Sequence, residues 1–197
     1  MKVLVVYCHP CADSFNAAVR DVAIEALKLS GHEVRLVDLY AAGFDPVMRM
    51  EEWRGYFKDG ENLAPIRDQA QHVAWAEAVV FIYPTWWYGL PAMLKGWLER
   101  VLVPGFAFDL PTKGRGPRPR LQHIGRLMAL TTCGATPLVS WLMGQPGRRT
   151  LLRGFRSICN PWCRTKYLAL YNMDTVSEGQ RLAHLERVRK TIAAFAA

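Results

Sequence analysis

No stretch of the sequence reaches the roughly 18 uninterrupted apolar residues that a membrane-spanning helix needs, although 51% of its 197 residues are hydrophobic. The opening MKVLVVYCHP has one lysine and a short apolar run that continues straight into polar residues. It lacks the length and cleavage site of a secretory signal, so a strand in a cytoplasmic protein is the expectation. Two phosphate-binding signatures are missing: the G-x-G-x-x-G of a dinucleotide fold and the G-K-[ST] of a P-loop. Cysteine is scarce, five in all and odd in number, which predicts reduced thiols. Cys159 and Cys163 have no second pair at zinc-ligand spacing, so no metal site is expected. There is no internal repeat and no low-complexity tract, and residues 1–197 read as a single domain. A composition with 21% charged residues argues against disorder.

Acidic residues are also short, 17 against 25 Lys and Arg, for a net charge of +8. The basic residues gather at Lys113, Arg115, Arg118 and Arg120, at Arg148, Arg149, Arg153 and Arg156, and at Arg164 and Lys166. Such a field attracts anions. No nucleic-acid motif interleaves these arginines, so a nucleic-acid partner is not expected.

What is present alternates regularly. Val3 to Cys8 is a continuous apolar run of the kind found in a parallel strand buried on both faces. Helical spacing follows from Ala17 to Leu29, stopped by Gly31. Glu33 to Leu39 reads as a second strand, Tyr40 to Asn62 as irregular, Pro65 to Ala76 as a helix and Ala78 to Tyr83 as a third strand. Leu90 to Val101 has helical spacing with Pro91 near its first turn. Pro111 to His123 reads as a loop, Gly125 to Leu130 as a strand, and Leu138 to Met143 and Thr150 to Ser157 as short helices. A last strand over Lys166 to Tyr171 and a terminal helix over Glu178 to Phe195 complete the order. This βα alternation predicts an α/β fold, a doubly wound five-stranded parallel sheet with helices on both faces.

In such sheets ligands bind beyond the carboxyl ends of the strands, and three unusual loops fall there. His9 to Asn16 offers an imidazole, a hydroxyl, an amide and the free N–H groups of a helix N-terminus, which favour phosphate. Pro84 to Gly89 carries Trp86, Trp87 and Tyr88 in a connection, where a flat ligand would explain them. Thr131 to Gly134 places two hydroxyls and flexible backbone where the polar edge of a ring would be bonded.

HPCADSFN, DLYAAGFDPV, YPTWWYGLPAMLKGWLERV, FAF and TTCG, in this order and spacing, resemble the flavodoxin-like NAD(P)H:quinone oxidoreductases, the DT-diaphorase family with its bacterial members. The resemblance runs from Met1 to about residue 173. It implies a non-covalent flavin, FAD with FMN as the alternative, in a homodimer. It also implies NAD(P)H as co-substrate and a quinone-like, azo or nitro aromatic small molecule as acceptor. Hydride would pass from the nicotinamide to flavin N5, a two-electron exchange. Carried over residue by residue, His9, Ser14, Phe15, Asn16 and Ala18 would line the phosphate and ribose region. Pro84, Thr85, Trp86, Trp87 and Tyr88 would run along the ring system, and Thr131, Thr132, Cys133 and Gly134 would meet its pyrimidine side. Trp87 and Tyr88 are the catalytic candidates, with Trp97 supporting them from the next helix.

The pattern also breaks. A tyrosine and a histidine that relay charge in the mammalian enzymes correspond to Val139 and Gln145, leaving Gln145 as the remaining polar candidate. Two pocket tyrosines correspond to Phe108 and Leu110, and Cys133 stands where the family has glycine. Two other readings accompany this one. Cys8-His9-Pro10-Cys11 has the C-x-x-C form of a dithiol redox motif. A flavoprotein of this fold can also serve as a regulatory subunit docked on a membrane transporter, such as a potassium efflux system.

Overall fold

Five of the apolar runs become the strands of one parallel sheet in the computed structural model, which describes residues 1–58 and 60–196. In chain order these are β1 (Lys2–Tyr7), β2 (Glu33–Asp38), β3 (Ala78–Thr85), β6 (Arg126–Cys133) and β7 (Arg164–Leu170). A separate two-stranded hairpin, β4 (Phe108–Asp109) with β5 (Arg118–Pro119), lies between β3 and β6 in sequence. The sheet order is β2-β1-β3-β6-β7, all neighbours parallel. Chain direction across the sheet therefore reverses between β1 and β3, the switch point beside which ligands of doubly wound folds sit.

Alternate residues of each strand feed two cores. Val3, Val5, Tyr7, Val80, Ile82 and Leu130 pack under α1 (Phe15–Leu29) and α7 (Glu178–Ala196). Leu4, Val6, Val79, Phe81 and Ala129 pack on the other side, under α3 (Arg67–Trp75) and α4 (Ala92–Val101). Trp97 is fully buried there, its ring edge-on to Phe81 and its indole N–H donating to Gln69 at 2.9 Å. No helix among the described residues is long and apolar enough to cross a membrane.

Three segments depart from the sequence expectation. The stretch from Tyr40 to Asn62 contains a short helix, α2 (Met50–Gly55). Six residues are too few for a period to show, and α2 is fixed instead by tertiary contacts: Glu52 pairs with Arg100 of α4, which also donates to the Asp45 carbonyl. Within the expected loop from Pro111 to His123, Arg118 and Pro119 pair with β4, a ladder too short to leave a pattern. Thr150 to Ser157 is not regular α-helix but a π turn over Thr150–Gly154 followed by a 3₁₀ turn over Phe155–Ile158. Both follow α5 (Pro137–Leu142) and the four-residue α6 (Pro146–Arg149).

His184 of α7 is buried without a counter-charge among the described residues. It is 2% exposed, its ring is 6.1 Å from that of Phe15, and its Nδ1 has no partner. Burial, with Arg187 adding to it, lowers its pKa from the ordinary 6.5 to about 4. The folded protein therefore binds fewer protons at this site than the unfolded chain does between those values. The contribution of neutral His184 is complete above pH 6.5 and is lost as pH falls from 6.5 toward 4. A melting-temperature series across that window is expected to slope downward with acid, and His184→Leu to flatten it. Parallel slopes for the two proteins would refute this account.

Candidate functional site

The carboxyl ends of β1, β3 and β6 adjoin in the sheet, and the three unusual loops meet above them. Their floor is hydrogen-bonded across strands. Asn16, 4% exposed at the start of α1, donates through Nδ2 to Thr132 Oγ1 at 2.9 Å, and Thr85 and Thr131 share a hydroxyl bond of 2.9 Å. Ser14 caps α1 by accepting from the Ala17 amide at 3.2 Å. The Phe15 and Asn16 amides keep no partner among the described residues. An N-terminus of this kind carries roughly half a positive charge and suits an anion.

The aromatic loop is a tight turn. The Gly89 amide donates to the Trp86 carbonyl at 2.9 Å, and Trp86 and Gly89 form an antiparallel bridge. The two central residues, Trp87 and Tyr88, have φ of 49° and 62°. That is the backbone of a type I′ turn, which ordinarily takes Asn-Gly. Two bulky residues in the left-handed region each cost of order 1 kcal/mol or more. Strain held on such residues concentrates at binding sites, and here it stands Trp87 out, 95% exposed, over the floor. Trp86 turns back toward His9, their rings 6.0 Å apart.

A pocket of about 370 Å³ results, lined by His9, Ser14, Phe15, Asn16, Pro84, Thr85, Trp86, Trp87, Thr132 and Gly134. All ten are residues the sequence marked for the cofactor. Met173 and Asp174 complete the lining, and sequence reasoning missed them. They follow the fifth strand as the other loops follow theirs, so the carboxyl-edge argument would have found them if extended to β7. Asn172, at φ 54°, starts this connection, and the Met173 amide ties it to the Cys133 carbonyl at 3.1 Å. Gly134 lies against this connection: a Cβ on it would be 2.5 Å from an Asp174 carboxylate oxygen, so Asp174 would have to swing aside.

Other sequence candidates fall elsewhere. Thr131 and Cys133 are buried at the β6 end beneath the pocket. Ala18, Tyr88, Phe108 and Leu110 are not among its lining residues, the last two lying on and just after β4. Gln145 lies outside the pocket; its side chain donates to the Tyr171 hydroxyl at 3.1 Å and accepts from Arg148 at 2.9 Å. The surroundings of Cys8 and Cys11 do not favour the dithiol reading, Cys8 being fully buried. Burial pushes the Cys8 thiol up to about 12, and the Asp13 carboxylate, accepting from Cys11 at 2.6 Å, raises the other. A dithiol catalyst needs a lowered value.

One feature of the floor bears directly on a flavin. Asn16 Oδ1 is buried and has no partner, an arrangement that costs about 1–3 kcal/mol unless a donor is supplied. A ligand rich in hydroxyl and N–H groups, wide enough to lie under Trp87 and ending in phosphate at α1, would supply it. The donor set fits a flavin.

A family model described as a flavodoxin-like fold matches residues 1–195. The chain belongs to that flavodoxin-like family. Its relatives include rat "NAD(P)H dehydrogenase [quinone] 1", 37% identical over 156 residues, covering 71% of this chain and 56% of the relative. The human "Ribosyldihydronicotinamide dehydrogenase [quinone]" is 33% identical over 153 residues, covering 70% and 65%. The chain thus spans between half and two-thirds of the length of these curated relatives. Among solved structures, Smu.1420 of Streptococcus mutans superposes with a TM-score of 0.84 at 30% identity, covering 98% of this chain and 100% of its own. The NAD(P)H:quinone oxidoreductase of Methanothermobacter marburgensis gives 0.83 at 25%, covering 100% and 98%. The flavodoxin-like assignment agrees with the observed strand order, in which β1 and β3 flank the switch point.

Proposed function

We propose that this flavodoxin-like chain is a flavin-dependent NAD(P)H oxidoreductase with a quinone-like or azo/nitro aromatic acceptor, working as a homodimer with FAD. The observation that carries the reading is the convergence on one pocket of the orphaned Asn16 oxygen, the open α1 N-terminus and the strained Trp87-Tyr88 turn. The names of the curated relatives support the same activity.

When bound, a flavin supplies two-electron exchange at its N5 between nicotinamide and acceptor. The residues of this chain bind and orient. Asn16 would accept from the ligand's hydroxyl or N–H edge, the Phe15 and Asn16 amides would hold phosphate, and Trp87 would offer a flat wall to a planar partner. The turn amides of Trp87 and Tyr88 have no backbone partner among the described residues and would be free donors to a ring edge. With Val139 and Gln145 in place of a Tyr/His pair, those backbone donors would take over the stabilisation of negative charge on a bound flavin. A homodimer is supported by the apolar surface of Leu138, Leu142 and Met143, on α5 and the residue after it, all more than half exposed.

The test is an absorbance spectrum of the purified protein and chromatography of what heat releases. A yellow protein releasing FAD is expected; a colourless protein that takes up neither FAD nor FMN would sink the proposal. Trp87→Ala is expected to lower turnover by about tenfold or more, the scale of a positioning contact, while Cys11→Ser changes it little. Full flavin content with negligible turnover on quinones would shift the reading to a docked regulatory subunit.

A further inference from the structure

From residue 110 to residue 173 the sequence contains no Asp or Glu and eleven Lys and Arg. Outside this stretch Arg20, Arg49, Arg100 and Arg189 each meet a carboxylate. Within the acid-free stretch Arg120 reaches back to Asp109, and Arg156 is used up on the Pro161 and Cys163 carbonyls. Arg148, Arg149 and Arg153 differ. They line one cleft of about 320 Å³ with Trp141, Gln145 and Thr165, and none has an ion-pair partner among the described residues.

Arg148 is held in place without being neutralised. Arg148 donates to Gln145 Oε1 at 2.9 Å and lies over the Tyr167 ring at 5.0 Å. Arg149 lies along Gly144, where an added Cβ would be 3.4 Å from its Nη1. Trp141, 67% exposed, provides the wall. Unneutralised arginines with fixed planes are a site for a phosphate dianion, which guanidinium forks bind bidentately. An exposed indole beside them is a stacking face for a base.

The cleft is also next to the redox pocket. Gly147, between Gln145 and the first of these arginines, sits so close to the aromatic turn that an added Cβ would be 3.3 Å from the Gly89 carbonyl carbon. Gln145 bonds to Tyr171, whose chain continues directly into the pocket residues Met173 and Asp174. We infer that this cleft binds the adenosine 2′-phosphate end of NADPH, Trp141 stacking on the adenine and Arg149 and Arg153 holding the phosphomonoester. The inference rests on the proposed function and makes NADPH, rather than NADH, the preferred co-substrate. Free inorganic phosphate carries the same charge, and the test separates the two.

Calorimetric titration of the holoprotein with adenosine 2′,5′-bisphosphate, adenosine 5′-phosphate and inorganic phosphate reads the site without turnover. The bisphosphate is expected to bind at least about tenfold more tightly than either of the others. Arg153→Gln or Arg149→Gln should remove about tenfold of that affinity, the scale of a charge-assisted phosphate contact. The same variants should raise KM for NADPH by a similar factor with little change in KM for NADH. Arg164→Gln, in the same basic stretch but not among the cleft residues, serves as the control. Equal binding of the bisphosphate and 5′-phosphate, inorganic phosphate binding as tightly as the bisphosphate, or an equal effect of Arg164→Gln would each overturn the assignment. Bisphosphate binding does not require flavin, so failure here is distinct from a protein that is colourless.

Discussion

Gly96→Ala is expected to lower the melting temperature by about 6 °C, against the trend of helix propensity. Gly96 is in the middle of α4, where alanine would ordinarily add about 1 kcal/mol. Here an added Cβ would lie 2.7 Å from Pro46 Cα and closer still to the Pro46 carbonyl oxygen. Those are backbone atoms and have no rotamer through which to escape. The loop that carries them is itself held, because Arg100 of α4 donates to the Asp45 carbonyl and pairs with Glu52 of α2. Overpacking of this kind costs about 3 kcal/mol or more when the neighbour is rigid, and in a chain this long that corresponds to several degrees per 2 kcal/mol. The clash therefore outweighs the propensity gain. α4 also carries Leu94 and Trp97, both fully buried, so the damage would extend to the core under the aromatic turn. A thermal melt within about 2 °C of the parent would show that the α4–Pro46 contact is looser than the structure has it.

Asn16→Leu has a different signature, because its two effects point in opposite directions. The substitution removes the bond to Thr132 but also removes Oδ1, a buried acceptor with no partner in the unliganded protein. An unpaired buried oxygen costs about as much as a neutral hydrogen bond contributes, so the apoprotein is expected to melt within about 2 °C of the parent. Flavin affinity is another matter. Losing the acceptor and leaving a ligand donor unpaired in the pocket costs about 2–3 kcal/mol, a weakening of about 30- to 150-fold. Flavin titration by fluorescence quenching, run beside apoprotein melts, measures both. Equal loss in the two would mean that Asn16 only props the loops together; unchanged flavin affinity would remove it from the site.

Much of this was legible from the residues. A parallel strand buried on both faces must be apolar throughout, so Val3 to Cys8 and Ala78 to Tyr83 could be read directly, and the βα order then fixed which loops meet. That is why the pocket-lining residues from His9 to Gly134 could be named. What could not be read depends on contacts distant in sequence or on backbone geometry. α2 is too short to show a period and stands on its pairing with α4. The Trp87-Tyr88 turn carries neither the asparagine nor the glycine that marks type I′ geometry, so its left-handed backbone was invisible. Gln145, inferred by counting along the chain, lies outside the pocket, at the left-handed N-cap of α6, where its side chain bonds Tyr171 and Arg148. Met173 and Asp174 were visible in principle, at the end of a strand like the others.

The sheet's two outer strands have a consequence for how copies of the protein meet. A bare edge of unpaired backbone invites another chain to add a strand, the route to fibrous aggregates. β2 carries Glu33 and Arg35 along its length, and β7 carries Arg164 and Lys166 at its exposed start. Ionic side chains at both margins oppose the dry, in-register stacking that strand addition requires. Polymerisation through the sheet is thereby disfavoured, and association is directed to the surfaces formed by helices and loops.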